Sequence, residues 1–573
     1  MRLLAMIIML SILCLSLQIA HAADFYLSSA GGADTVSCGG FSSPCATFNY
    51  ALDLMHPMDT LYVMPGTYDL DDETGPDNYV SIDKNDITIA AYDFGDRPLI
   101  YGVTSTQQDW MFRIFQADRV TIDGLRMWHN RNQQKLGYWQ MNIEIADCEF
   151  VTIRNCEIAY SFSGIQLYGP TNRGHQILHN VIHTHGTSNT SPETGNGHGI
   201  AIASNSPKTS TTGWSDKIYI AHNDVYNCGG DSFQSNGHTN DTDFHEFVEI
   251  YDNAFHDNDE DGIDVKRSSN FRIHGNRLYD NNANGFVTSV GVSQNFEIYN
   301  NVIYGNGWGG LYIDGGNPNF KIYNNIVYNN AECKNEDCPN YGGAGAPWDR
   351  YQAYGIFCSP SSCEVYHNVI YGNGNGPQTK KDKAGFRGDA TFVNNIVLEN
   401  GDQPHDASYE GGNIRTGCGG YISHNYVFPT TYGITGNHAI TDANHGIFNP
   451  AGFVFTLQPG SLLIDAGSDL AGVVDADILS NHRPQDGDAS GTSEYDIGAY
   501  EYLSGSPTYA CSDTIDNDGD GQIDYPNDVG CDSATDNDES DCTGSGCGGQ
   551  GGPAVTDRSD TSGSGGCLID SLL

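Results

Sequence analysis

The chain has 573 residues, with 72 Asp and Glu against 26 Lys and Arg and a formal net charge of −46. That charge excludes a nucleic-acid partner on electrostatic grounds, and it handicaps binding of acidic polysaccharides unless metal ions bridge the two. Sixty-nine Gly, with abundant Asn, Asp and Tyr, suit many short strands and tight turns better than helices.

Met1-Arg2, an apolar run to Leu17 and the small-x-small triplet Ala20-His21-Ala22 read as a signal peptide over residues 1–22, which places the mature chain outside the cell. No later apolar run is long enough to span a bilayer. Fifteen of the 16 Cys remain after cleavage, and the close pairs Cys38/Cys45, Cys333/Cys338, Cys358/Cys363, Cys511/Cys531 and Cys542/Cys547 read as local staples. The odd number leaves at least one thiol unpaired, and Cys567 is the candidate.

Residues 23–68 read as an N-terminal cap and first coil. They comprise a strand at Phe25-Tyr26-Leu27, a Cys-bounded loop, a helix over 46–55 that covers the open end of the stack, and a strand from Leu61. Residues 69–502 then repeat. Val151-Thr-Ile-Arg-Asn-Cys156, Phe271-Arg-Ile-His-Gly-Asn276, Phe296-Glu-Ile-Tyr-Asn-Asn301 and Phe320-Lys-Ile-Tyr-Asn-Asn325 are copies, and others end at Asn180, Asn223, Asn253, Asn368, Asn395 and Asn425. Neighbouring copies are mostly 23 to 30 residues apart, and the two gaps of 43 hold inserted loops near 186–217 and 331–350. Such a period marks a solenoid. The recurring Asn is structural, since it tolerates a left-handed turn and its amide can bond to the next coil.

Each copy is followed by a second strand. With Gly262 as reference, the equivalents are Gly164, Gly199, Ser232, Gly285, Gly310, Gly355 and Gly385. Alternation then turns inward the pairs Ile165/Leu167, Ile200/Ile202, Phe233/Ser235, Ile263/Val265, Phe286/Thr288, Leu311/Ile313 and Ile356/Cys358, two apolar columns of a parallel β-helix. The same alternation exposes polar residues. In Asp259-Glu260-Asp261-Gly262-Ile263-Asp264-Val265-Lys266, Asp264 and Lys266 point outward about 7 Å apart. Asp231 falls beside Asp261 on the adjacent coil, about 4.8 Å away, so the two can share a hard cation with Glu260 or Asp264 completing the oxygens. Divalent metal beside a strand Lys suits β-elimination from a uronic-acid polymer. That reaction needs the substrate carboxylate neutralised, a base at C5 and an acid at the leaving oxygen. Ca2+ on Asp231, Asp261 and Asp264 serves the first need and a neutral Lys266 the second; the acid is His198, Tyr168 or water. The alternative for Lys266 is a solvated ion pair with Asp264, contributing roughly 0–1 kcal/mol. For His198 the alternative is a turn cap, and the recurring tyrosines are read as structural.

The Tyr62-to-Tyr68 turn, the repeats of the form Ile-Tyr-Asn-Asn-Val-Ile-Tyr and the closing segment Leu463-Ile-Asp-Ala-Gly-Ser468 … Asp496-Ile-Gly-Ala-Tyr-Glu-Tyr502 resemble secreted bacterial right-handed parallel β-helix proteins of the pectate-lyase-like superfamily. The closing segment resembles the end module that precedes C-terminal anchoring signals. The resemblance implies an all-β, right-handed parallel β-helix; the fold hosts lyases, hydrolases, epimerases and adhesins. Gly230-Asp231-Ser-Phe233 and Glu260-Asp261-Gly262-Ile263-Asp264 are similar to the Asp and D-D-G-x-D motifs of calcium-dependent pectate lyases, with Glu260 in place of the first Asp. The Lys base of that family arrives one coil later. The Asp261-to-Lys266 spacing is similar to that of alginate-lyase and chondroitinase-B-like enzymes, whose partner Arg falls near Ser289 here.

After a linker at 503–510, residues 511–541 hold eleven acids and no Lys or Arg. Asp516, Asp518, Asp520 and Asp524 occupy positions 1, 3, 5 and 9 of an EF-hand-like calcium loop with Gly521 at 6, although position 12 is Asn527. A flexible acidic linker is the alternative. Residues 542–573 are a Gly/Ser-rich tail ending in Cys567-Leu-Ile-Asp-Ser-Leu-Leu573, readable as an attachment to the cell surface. The expected partner is an acidic glycan, bound by a monomer; the competing reading is a non-catalytic surface solenoid that binds a glycan or another partner. A glycoside hydrolase would need a carboxylate pair at about 5–10 Å, which the sequence supplies without specifying.

Overall fold

Short β-branched and aromatic stretches, punctuated by Asn, Asp and Gly, form strands that pair in parallel with the equivalent stretch one repeat on. The computed structural model describes residues 22–504 apart from 74–78, 103–109, 130–139, 170, 187–196, 204–216, 237–244, 289–290, 315–317, 332–351, 376–381, 402–411, 416–419 and 431–435. One compact unit ends at Tyr502. The acidic stretch with Asp516, Asp518, Asp520 and Asp524, the tail with Cys567, and most of both inserted loops lie outside the described residues.

Three parallel sheets build a β-helix. Sheet 1 climbs from Val80–Ile82 through Ser163–Tyr168, Ile200–Ile202, Phe233–Asn236, Ile263–Lys266, Asn284–Thr288 and Gly309–Ile313 to the first halves of Gln352–Tyr366 and Asp382–Val393. Sheet 2 runs from Asp24–Leu27 to Ile422–Ser423. Sheet 3 has 13 strands, from Thr67–Asp69 to Tyr426–Phe428. Ile165, Ile200, Phe233, Ile263, Phe286, Leu311 and Ile356 pair in register up sheet 1, all buried, as the alternation predicts. Each such side chain contributes roughly 2 kcal/mol by leaving water. A slip of one residue would turn the whole column outward, so burial sets the register.

Two buried Asn ladders run along the axis. In the first, between sheets 2 and 3, Asn276 donates its backbone N–H and its amide to Asn301 Oδ1, both at 3.0 Å, and Asn301 repeats this to Asn325. The second, between sheets 3 and 1, links Asn258, Asn281, Asn306, Asn330, Asn373 and Asn400 in the same way and was not anticipated. The expected left-handed conformation belongs to the residue before the first-ladder Asn, as at His222, Asp252, Asn300 and Asn324. The recurring Asn supplies the axial hydrogen bonds and its predecessor makes the corner. Gly262 is glycine because a Cβ there would lie 2.7 Å from the Gly285 carbonyl oxygen and 3.1 Å from Asn281 Nδ2.

Outside sheet 3, His183, Tyr226, His256, Tyr279, Tyr304 and Tyr328 stack face to face at 4.5–5.2 Å. The ring faces are therefore spent on each other, in keeping with a structural role. The helix is shorter than expected, Phe48–Leu54, and turns Phe48, Ala51 and Leu52 inward. Glu73 accepts hydrogen bonds from its Phe48 and Asn49 N–H groups. The last sheet-3 strand ends at Phe428, and beyond it Asn437 and Ile440 still make parallel bridges to Ser423 and Tyr426. A hairpin of Ile447–Asn449 and Val454–Leu457 then sets Phe453 against Tyr328 at 4.6 Å, and Asn394 exchanges two hydrogen bonds with Ser468, so the closing segment packs on the flank of the helix. Cys38–Cys45 and Cys358–Cys363 are disulfides as expected. Outside these disulfides Cys148, Cys156 and Cys228 are buried and fill the interior as small apolar groups. Among the described residues no helix is long and apolar enough to cross a membrane.

Candidate functional site

On the outer side of sheet 1 a polar column forms just before the Gly register. Asp231 donates its N–H to His198 Nδ1 (3.0 Å), Asp261 to Asp231 Oδ1 (2.9 Å), and Asn284 to Asp261 Oδ1 (2.7 Å); His198 donates to Ser163 Oγ (3.3 Å). Each side chain thus holds the backbone of the next coil. Because Nδ1 accepts a backbone proton, the His198 imidazole carries its own proton on Nε2. The 3.3 Å approach of Nδ1 to Asp231 Oδ2 becomes attractive only if the ring gains a second proton.

Strand Ile263–Lys266 brings a third carboxylate to this column. Oxygens of Asp231, Asp261 and Asp264 lie within 4.8 Å of one another. Asp231 and Asp264 are buried, whereas the alternation predicted an exposed Asp264. Lys266, on the same strand, pairs with Asp264 Oδ2. Asp264 Oδ1 is buried with no hydrogen-bond partner. Gln234 donates to Asp231 Oδ2 at 3.2 Å.

The electrostatics follow from this crowding. Burial, then Asp231, pushes the Asp264 carboxyl up to about 6 even though Lys266 opposes them. Burial, then Asp231 and Asp264, raises Asp261 well above the carboxylate range against hydrogen bonds from Asn284. Burial with Asp231 and Asp261 lifts Glu260 to about 9. Burial works to lower the Lys266 amine, but Asp264 and Asp231 outweigh it and hold the group above its ordinary value. Lys266 is therefore an ammonium here, and the expectation of a neutral amine is corrected by the carboxylate beside it. Like carboxylates packed this closely call for a proton or a cation between them. The orphaned Asp264 oxygen and the all-oxygen donor set fit a hard divalent ion such as calcium.

Of the sequence candidates, Asp231, Asp261, Asp264, Lys266 and His198 come together. Glu260 is outside the close set of oxygens, although the charges of Asp231 and Asp261 act on it. Tyr168 stands three strands from Lys266 in the same register, about 14 Å along the axis, and is exposed. The aligned repeats place Asn284 next to Asp261 in this column; what they did not give is its two hydrogen bonds to Asp261 Oδ1.

A family model described as a right handed beta helix region matches residues 209–397. No curated protein matches the chain. Among solved structures, pectate lyase Pel9A is 13% identical, with 84% of this chain and 97% of that chain covered and a TM-score of 0.42. An alginate lyase solved in complex with a trisaccharide is 13% identical over 65% of this chain and 80% of its own, TM-score 0.39. PfbA, a surface adhesin of Streptococcus pneumoniae, is 11% identical over 67% and 88%, TM-score 0.43. At such identities and scores these likenesses carry no inference about activity.

Proposed function

We propose that this right-handed β-helix chain is a secreted, calcium-dependent polysaccharide lyase acting on a uronic-acid polymer by β-elimination. The observation that carries the reading is the grouping of Asp264, whose buried Oδ1 has no hydrogen-bond partner, with two further carboxylates beside the amine of Lys266. An ionised oxygen in that position is costly unless a cation meets it. Asp231, Asp261 and Asp264 would hold Ca2+, which when bound neutralises the substrate carboxylate and makes the C5 proton acidic. Lys266 would remove that proton as a free amine, once Asp264 has released the ammonium and it has lost its extra proton to solvent; the ion pair is its resting arrangement. The C5–H electrons form the C4–C5 double bond and the C4–O bond breaks. The proton for the leaving oxygen would come from His198 as an imidazolium that has taken a second proton from solvent, or from a water. Tyr168 is too distant for that bond.

Full-length protein is incubated with pectate, alginate or chondroitin, with calcium or chelator, and ultraviolet absorbance of the unsaturated product is followed. Loss of product with chelator and in Lys266→Ala is expected. Undiminished product in Lys266→Ala, or none from any uronan, would remove the proposal.

A second reading has its own support. The Ser163–His198–Asp231–Asp261–Asn284 column does the work of an Asn ladder, which suits a non-catalytic surface solenoid that binds a glycan or partner. Glycan binding without turnover, unchanged in Lys266→Ala, selects it.

A further inference from the structure

The outer side of sheet 2 begins with a group of rings that belongs neither to the stacked column outside sheet 3 nor to the acidic cluster on sheet 1. Strands Asp24–Leu27 and Thr60–Val63 pair with Tyr26 opposite Tyr62, and both side chains point outward between the buried Leu27, Leu61 and Val63. Their rings lie 5.6 Å apart with planes 28° apart. Next in that register is Ala90, whose small side chain leaves room beside Tyr62. Tyr92, two residues on, leans back toward both rings, 6.2 Å from Tyr62 and 5.9 Å from Tyr26. Phe41 closes the group, 5.3 Å from Tyr26 and 5.8 Å from Tyr92. Its loop is stapled by Cys38–Cys45 and bonded to the first strand: the Tyr26 N–H donates to the Gly39 carbonyl, and the Cys45 N–H to the Tyr26 carbonyl, both at 2.9 Å.

The rings are thus held in place yet left open to water, Phe41 by 55% and Tyr92 by 46%. Half of two such side chains, with the edges of Tyr26 and Tyr62, is on the order of 300 Å² of aromatic surface. A stable protein partner, or a second copy of this chain, needs about 800 Å² on each side. The patch is too small for either, but it matches the C–H faces of one or two sugar rings, whose slightly positive hydrogens suit an electron-rich aromatic face. The rim selects which sugar. Asp24 is exposed beside the Tyr26 hydroxyl, which burial and then the Asp24 charge push above its ordinary value. Asp93 is exposed next to Tyr92 in the chain. Carboxylates accept hydrogen bonds from sugar hydroxyls and repel carboxylate, sulfate and phosphate groups. Beyond Ala90 the register reaches Asp123, paired with Arg154 at 2.7 Å, so the apolar strip ends there.

We propose that Tyr26, Phe41, Tyr62 and Tyr92 form a platform on which a neutral glycan stacks, with Asp24 accepting hydrogen bonds from its hydroxyls. The platform lies on a different sheet from the acidic cluster and does not rest on the reading of that cluster. Its occupant is chosen by the acidic rim, which disfavours charged sugars, and by the small area of the exposed rings.

The test titrates the full chain with cellohexaose and with xylohexaose by calorimetry, in chelator so that no calcium sits at the acidic cluster. At least one hexasaccharide should bind, and Tyr92→Ala and Phe41→Ala should each weaken it about tenfold, the worth of one aromatic contact. Tyr92→Phe keeps the ring and should keep most of the affinity, which separates stacking from a general disturbance of the cap; melts of all three variants should match wild type. Asp24→Asn should weaken the neutral hexasaccharide and narrow its advantage over a galacturonate hexamer. The platform is refuted if neither neutral hexasaccharide binds, or if binding is unchanged in both Tyr92→Ala and Phe41→Ala. It is also refuted if the galacturonate hexamer binds as tightly with the same dependence on the rings. Dimers in sedimentation that both ring variants dissociate would refute it in favour of self-association.

Discussion

Asp264→Asn should make the protein more stable without calcium and should remove most of the stabilisation that calcium gives. The folded Asp264 carboxyl titrates at about 6 against an ordinary 3.8, because burial and Asp231 outweigh Lys266. For an acid with its folded value raised, the ionised form weakens the fold: nothing is lost below 3.8, and the full cost is present above 6. Two units at roughly 1.4 kcal/mol each give about 3 kcal/mol. The amide substitution removes that charge while keeping the shape, so in chelator well above pH 6 the variant should gain about 3 kcal/mol, and below pH 3.8 the two proteins should converge. Calcium at a hundred times its dissociation constant should stabilise wild type by about 2.7 kcal/mol, and the variant by much less. Denaturant midpoints across pH, with calcium or chelator, measure all four corners. A variant less stable than wild type in chelator above pH 6, or equal stabilisation of both by calcium, would refute the reasoning.

Asn301→Ala should cost about 3–5 kcal/mol in denaturant melts. It strands the Asn276 N–H and amide together with the Ile273 and Tyr299 carbonyls in the interior. Gly262→Ala should cost about 1–3 kcal/mol by pushing a methyl onto the Gly285 carbonyl, and should weaken calcium binding because the same turn places Asp261. Although burial lowers it, His256 is held up at about 9 by hydrogen bonds to Asp224 (2.9 Å) and Asp257 (2.7 Å). Its contribution is complete below 6.5 and is lost as pH rises through 9. His256→Gln should therefore destabilise by about 1–2 kcal/mol below pH 6.5 and by much less above pH 9; the figure is discounted because both carboxylates are more than a third exposed.

Burial at Ile263 and Val265, and through them the coil register, could be read from alternation because a strand has only two faces and one of them must avoid water. The same register placed Asp231 beside Asp261 and showed the recurrence of Asn276, Asn301 and Asn325. Alternation says which way a side chain leaves the strand but not what stands over it. The sequence offered the Asp264–Lys266 ion pair only as a solvated alternative; the burial of Asp264 and the consequent hold on the Lys266 proton were therefore invisible until neighbouring coils were in place. Sequence likewise gave no sign that Phe41 and Tyr92 would meet Tyr26 and Tyr62, since those rings come from a loop and three successive coils. What the sequence by itself determined was the repeat, the inward columns and the candidate acids, all consequences of local period. What only the tertiary structure decided was the electrostatics of the site, because charge interactions depend on distance and water exclusion in three dimensions.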